Sequence, residues 1–214
     1  MDWATARLNM VEGQVRPNRV TDPRIIQAML EIPREMLVPA ARRALAYADA
    51  PVAIAPGRSL LAPMVVARLL QAAAPREGER ALVLPGLGSY AALVLHRMGL
   101  GVTVLETPDR AGQARTALAA TGTPLTVVAG RLDQGHAAAA PYDLILLEGA
   151  VAALPAAFGA QLADGGRLVG IVGDQPPRRA VRADKVGDTF GQRVLFDAVA
   201  PLLDEFAAEP AFSL

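Results

Sequence analysis

The sequence predicts an α/β fold: a mostly parallel sheet covered by helices, preceded by an N-terminal helical segment and ending in an antiparallel hairpin. Three observations carry this. From Glu79 onward, short apolar runs alternate with stretches of helical period, and runs apolar on both faces suit strands buried in a parallel sheet. Near Arg179 that alternation stops, and two strand-like runs flank a turn bounded by Gly187 and Gly191. The 214 residues are 52% apolar and 20% charged, enough to bury one core of this kind.

The elements follow in order. Asp22 is an N-cap and Pro23 the first residue of a helix running to Glu31, with Ile25, Ile26, Met29 and Leu30 on one face. Pro33 stops it. A second short helix is expected from Glu35 or Pro39 to Ala46, then an irregular or extended segment over 47–56. Residues 62–74 read as a helix with Pro63 in its first turn and Val65, Val66, Leu69 and Leu70 inward. Strands are expected at Arg80–Leu84, Val102–Leu105, Leu125–Val128, Asp143–Leu147 and Arg167–Val172. Helices are expected at Ser89–Met98, Pro108–Ala120 and about Pro155–Leu162. The last two strands are Arg179–Val186 and Gln192–Val199. Residues 1–62 are read as an N-terminal helical segment or lid, and 63–214 as the sheet domain, together one structural unit.

Composition excludes several functions. Twenty-one basic residues against 21 acidic ones leave no broad positive footprint for nucleic acid. With no cysteine and only His96 and His136, disulfides, thiolate sites and a multi-histidine metal centre are excluded, and no metal is expected. The first twelve residues carry Asp2, Arg7 and Glu12 and do not read as a signal peptide. No apolar run nears the ~20 residues of a spanning helix, so the expectation is a cytoplasmic protein with no membrane partner.

In an open α/β sheet, ligands bind beyond the carboxyl ends of the strands, where the strand order reverses. Here the turn Pro85-Gly86-Leu87-Gly88-Ser89 follows the first strand of the alternation, and Glu106 ends the second. An acid at that place accepts hydrogen bonds from ribose hydroxyls; equally, Glu106 is a cap-like residue before Pro108. Glu148, after the fourth strand, is either a crevice carboxylate or a solvated loop residue. His96 and His136 read as ordinary surface or helix-face residues, and Trp3 as a packing aromatic.

More specific patterns lie outside this turn. They are Arg7-Leu8-Asn9-Met10-Val11 with Gln14-Val15, Thr21-Asp22-Pro23 with Ala28-Met29, and Ile32-Pro33-Arg34-Glu35-Met36-Leu37-Val38-Pro39. Ala46-Tyr47-Ala48-Asp49, Pro141-Tyr142-Asp143 and Gly165-Gly166-Arg167-Leu168-Val169 follow. From about Arg7 to Val172 the chain resembles the protein-L-isoaspartate O-methyltransferase family. The resemblance implies a Rossmann-like S-adenosylmethionine-dependent methyltransferase fold. It also implies methyl transfer to isoaspartyl carboxylates of damaged peptides or proteins, a protein-repair reaction. Pro85, Gly86, Leu87, Gly88, Ser89, Glu106, Arg131, Leu132 and Glu148 would then surround S-adenosylmethionine. Leu61 stands at the family's active-site serine, with Ser59 the nearby hydroxyl.

The chain also departs from the family pattern. Val83 stands at the acid of the nucleotide turn, and Pro85, Leu87 and Ser89 stand at its three glycines. Arg131 follows Gly130 where many members have aspartate, and Asp133 is either displaced into that role or a surface residue. Two lost polar contacts, each ~1.5–3 kcal/mol, lead us to expect cofactor affinity weakened about a hundredfold or more. The alternative reading is a catalytically degenerate methyltransferase-fold protein whose altered crevice binds another ligand or a protein partner.

Overall fold

The computed structural model describes residues 2–123 and 125–206. Its centre is a seven-stranded sheet. The strands are β3 (Arg80–Leu84), β4 (Gly101–Glu106), β5 (Thr126–Ala129), β6 (Tyr142–Val151), β7 (Leu162–Val172), β8 (Arg178–Val186) and β9 (Thr189–Ala198), in the order β5-β4-β3-β6-β7-β8-β9. The first five are mutually parallel, and β8 and β9 add antiparallel. The order reverses between β3 and β6, which makes the carboxyl ends of β3, β4 and β6 the ligand edge. Helices α3 (Pro63–Ala73), α4 (Tyr90–Arg97), α5 (Ala111–Ala119) and α6 (Ala156–Gln161) connect and cover the strands.

Two apolar clusters flank the sheet because successive strand residues point to opposite faces. Ala81, Val83, Leu144 and Leu146 join α3 and α4 on one side. Leu82, Leu84, Ile145 and Leu147 join Phe158 and Leu162 on the other. Edge strand β5 departs from the expected two-sided burial: its four residues are exposed or half-buried.

The N-terminal segment begins with α1 (Trp3–Met10), where the Asp2 carboxylate accepts from the N–H groups of Ala4 and Thr5. Helix α2 (Pro23–Glu31) starts as expected: the Asp22 side chain accepts from the Arg24 N–H, and Ile25, Ile26 and Met29 are buried. The second short helix is instead two 3₁₀ turns, Arg34–Leu37 and Ala40–Leu45, separated at Val38-Pro39. Proline fixes φ and restricts the residue before it, so one continuous helix cannot pass. The segment read as irregular or extended, 47–56, holds β1 (Val52–Ala55), which pairs with β2 (Arg58–Leu60) just beyond it in a hairpin turned through Gly57 at φ +65°. Strand β6 also runs past the expected Leu147. Residues beyond β9 return along it: the Ala150 N–H donates to Pro201 O at 2.9 Å, and the Leu203 N–H to Ala150 O at 2.8 Å. Glu148 is therefore a strand residue, and the solvated-loop reading is wrong.

Candidate cofactor crevice

The turn after β3 is shaped by its two glycines. Gly88 sits at φ +85°, where only glycine is unstrained. A Cβ at Gly86 would stand 2.8 Å from Val104 Cγ1 and 3.1 Å from Glu106 Cβ, so Gly86 lets the turn close on β4. That closure brings the Leu87 N–H to Glu106 Oε2 at 2.9 Å. The Thr107 N–H donates to Glu106 Oε1 at 2.8 Å. Turn and acid therefore share one edge, as expected.

Both carboxylate oxygens of Glu106 are also taken by a side chain that sequence reading missed. Arg58, from β2, donates from Nε to Oε2 at 3.1 Å and from Nη2 to Oε1 at 2.7 Å. The same guanidinium donates to Glu205 Oε1 at 2.7 Å and Oε2 at 3.2 Å. The side chains of Arg58 and Glu106 are 1% and 0% exposed. Burial pushes the Glu106 carboxyl up, but Arg58 and the two N–H groups outweigh it and hold the carboxyl below its ordinary range. Burial likewise opposes the charge on Arg58, and the two glutamates more than restore it. Arg58 carries no local signal beyond following Gly57, and its partners lie 48 and 147 residues away.

A second buried pair lies deeper. Ser89 Oγ donates to Glu148 Oε2 at 2.6 Å. Burial raises Glu148 to about 7, against the pull of Ser89, the N–H groups of Ala91 and Tyr90, and the Arg34 charge. The carboxyl thus sits at the start of α4, the kind of place that attracts a ligand's anion. Arg34 is fully buried, 4.9 Å from the Tyr90 ring centre, and burial lowers it to about 10. It donates from Nε to Ala46 O at 2.7 Å and from Nη2 to Leu61 O. Leu61 is buried, so an apolar side chain fills the position of the family serine; Ser59 is half-buried on β2.

These contacts explain the N-terminal motifs. In Arg34-Glu35, arginine fixes the backbone leading into α3. Glu35 accepts from Arg7 Nη1 at 3.2 Å and from the Tyr47 hydroxyl, and Trp3 packs 6.1 Å from the Tyr47 ring. The β1–β2 hairpin lies over the turn, with Ile54 against Gly88. Beyond Glu106, a pocket of about 260 Å³ is lined by Thr107, Pro108, Gly130, Arg131, Leu132, Asp133 and Glu205. Leu132 is buried at its base. Arg131 reaches Asp133 Oδ2 at 2.8 Å, so Asp133 serves a neighbouring side chain. His96 and His136 lie outside these clusters, each half-buried.

Residues 7–199 match the family model for protein-L-isoaspartate(D-aspartate) O-methyltransferase. The chain belongs to this family. A protein-L-isoaspartate O-methyltransferase of Methylorubrum extorquens (strain PA1) is 39% identical over 197 residues, covering 90% of this chain and 85% of the relative. A solved protein-L-isoaspartate O-methyltransferase superposes with a TM-score of 0.79 at 21% identity, over 92% of this chain and 65% of that one. A Plasmodium falciparum protein described by the same activity, solved in complex with S-adenosyl-L-homocysteine, gives a TM-score of 0.79 at 17% identity over 96% and 99% of the two chains. These structural likenesses establish the Rossmann-like methyltransferase fold. S-adenosylmethionine is the methyl donor of the isoaspartyl methyltransferase family, and isoaspartyl carboxyl groups are its acceptors.

With Arg58 in place, the crevice as folded offers no free acid to that cofactor's ribose. A ribose diol would need the Glu106 oxygens that Arg58 holds. Pro85, Gly86, Gly88 and Ser89 are buried, and Leu87 is half-buried with its N–H already donated to Glu106. Among the described residues, no group of three or more His, Asp or Glu side chains could hold a metal, and no helix is long and apolar enough to cross a membrane.

Proposed function

We propose that this chain is a cytoplasmic S-adenosylmethionine-dependent methyltransferase acting on isoaspartyl carboxyl groups of damaged proteins. The observation that carries the reading is Glu106, fixed against the Leu87 N–H at the carboxyl edge of the sheet in a chain that matches the family over 7–199. The acceptor asks little of the protein as a base, since a carboxylate with an ordinary pKa near ~4 is already ionised at neutral pH. What remains is positioning and exclusion of water, worth up to ~7–11 kcal/mol in well-aligned systems. Residues 1–62 supply this as a lid: Arg34 anchors the Leu61 carbonyl, and Ile54 covers the turn. Leu61 keeps the family's serine position dry, and Ser59 is the hydroxyl nearest to it in sequence. Pro85 to Ser89, Glu106, Arg131, Leu132 and Glu148 form the surround of the cofactor site.

The test is transfer of a labelled methyl group from S-adenosylmethionine to an isoaspartyl peptide, with the matching aspartyl peptide as control. Base-labile labelling of the isoaspartyl peptide alone is expected. Absence of labelling across the range of cofactor concentrations that binds would overturn the reading and leave a ligand-binding member of the fold.

A further inference from the structure

The acid best placed to receive a ribose is instead held by the chain's own arginine. We infer that Arg58 and Glu205 form a latch that closes the nucleoside crevice and must be displaced before an adenosyl ligand binds. The inference rests on the cofactor reading above and adds a control on the same site.

Two distant segments meet on Glu106. The hairpin supplies Arg58, whose Nε and Nη2 grip the two carboxylate oxygens at 3.1 and 2.7 Å. The segment after β9 supplies Glu205, which takes the outer face of the same guanidinium at 2.7 Å. That segment crosses the end of β6. Leu203 packs on Gly149, where a Cβ would stand 2.6 Å from Leu203 Cγ, and Phe206 packs 6.3 Å from the Phe158 ring. Arg110 Nη1 lies 3.5 Å from Glu205 Oε1, and Asp204 Oδ2 lies 3.4 Å from the Cβ position of Gly57. Asp109 faces Arg110 at 3.6 Å.

The two halves of the clamp differ in exposure. The inner pair, Arg58 with Glu106, is dry, whereas the Glu205 side chain is 23% exposed. Glu205 also borders the 260 Å³ pocket beside Thr107 and Leu132. A nucleoside whose base entered that pocket would bring its two ribose hydroxyls to Glu106. There they would donate in place of Nε and Nη2. The competition is between one guanidinium and one vicinal diol for the same two oxygens. An arginine swung outward gives up the partly exposed Glu205 and passes into water at the crevice mouth, so the latch opens without stranding a buried cation.

Calorimetric titration with S-adenosylhomocysteine and with adenosine tests this on the full chain, using Glu205→Ala and Arg58→Gln. Both variants are expected to bind both ligands at least tenfold tighter than the parent, with cooperative melting retained. Adding Glu106→Gln to Glu205→Ala should abolish the gain. Glu205→Ala carries the test should Arg58→Gln not fold, because Glu205 is partly exposed. Unchanged or weaker binding by folded Glu205→Ala would overturn the latch and place the obstacle in the turn itself. The methylation assay separates the two readings: turnover without an affinity gain sinks the latch alone, and an affinity gain without turnover sinks the methyltransferase reading alone.

Discussion

Glu148→Gln should stabilise the protein, and the gain should depend on pH. The Glu148 carboxyl is 4% exposed, and burial raises it from an ordinary 4.5 to about 7. Between those values the unfolded chain has released the proton and the folded chain still holds it. Wild-type stability is therefore fully present below about pH 4.5 and falls as pH rises toward 7. Raising the carboxyl from 4.5 to about 7, at ~1.36 kcal/mol for each tenfold change in proton affinity, gives a loss on the order of 3 kcal/mol, complete above pH 7. Glutamine carries no charge and keeps an oxygen for the Ser89 hydroxyl, which donates at 2.6 Å in the wild type. Urea unfolding of both proteins should give similar stabilities near pH 4.5. By about pH 8 the variant should lead by roughly 2–3 kcal/mol. A difference that stays flat with pH would mean that Glu148 is ionised in the fold at low cost, and would refute the argument.

Two further substitutions test the frame around the crevice. Gly88→Ala forces an alanine to φ +85° and drives its Cβ into Ile54, so a loss of about 2–3 kcal/mol is expected by thermal or chemical unfolding. Arg167, 5% exposed, donates to Glu79 Oε2 at 2.6 Å, Ala73 O at 2.7 Å and Asp143 O at 3.0 Å, joining the end of α3 to β6 and β7. Arg167→Met leaves the Ala73, Ala74 and Asp143 carbonyls without this donor and Glu79 with the Arg76 N–H but no guanidinium, and should cost about 3–5 kcal/mol, measured by urea unfolding.

The sheet was legible because each central strand carries a local signal. Leu82, Val83 and Leu84 must be buried on both faces, and a short continuous apolar run admits few other readings between turn residues. Glu106 was legible for the same reason: it is the first acid after such a run. The β1–β2 hairpin was not, because strands of four and three residues in an Ala- and Pro-rich stretch leave no measurable alternation. The extension of β6 was hidden for a different reason. Its outer pairing comes from residues 201–203, and nothing near Glu148 in sequence announces a partner some fifty residues on. Arg58 and Glu205 are the extreme case: each alone reads as a surface charge, and only the fold makes one the counter-ion of the other. The turn substitutions were visible, but their consequence was not. The family resemblance showed that Pro85 and Leu87 stand at glycine positions, while the structure shows Ile54 against Gly88 and Arg58 on Glu106.

The altered turn and the buried arginine are coherent as one arrangement. A crevice that waits for a nucleoside needs unused hydrogen-bonding capacity on its acid. Glu106 has little left: Arg58 supplies two donors and the backbones of Leu87 and Thr107 supply two more. The unused capacity lies deeper, where Glu148 Oε1 and Arg34 Nη1 are buried without partners. Removing an ion from water costs several kcal/mol, and a buried arginine persists only if its partners repay that. Arg58 manages it with two carboxylates, one dry and one partly wet. The wet one is the weak point, because water can take over the partly exposed carboxylate when the contact breaks. Closure therefore hinges on Glu205, the contact easiest to give up. Each 1.4 kcal/mol by which that contact favours the closed state lowers apparent ligand affinity tenfold. An adenosyl ligand at high concentration, or a displaced C-terminal segment, would open the same crevice by removing the same contact.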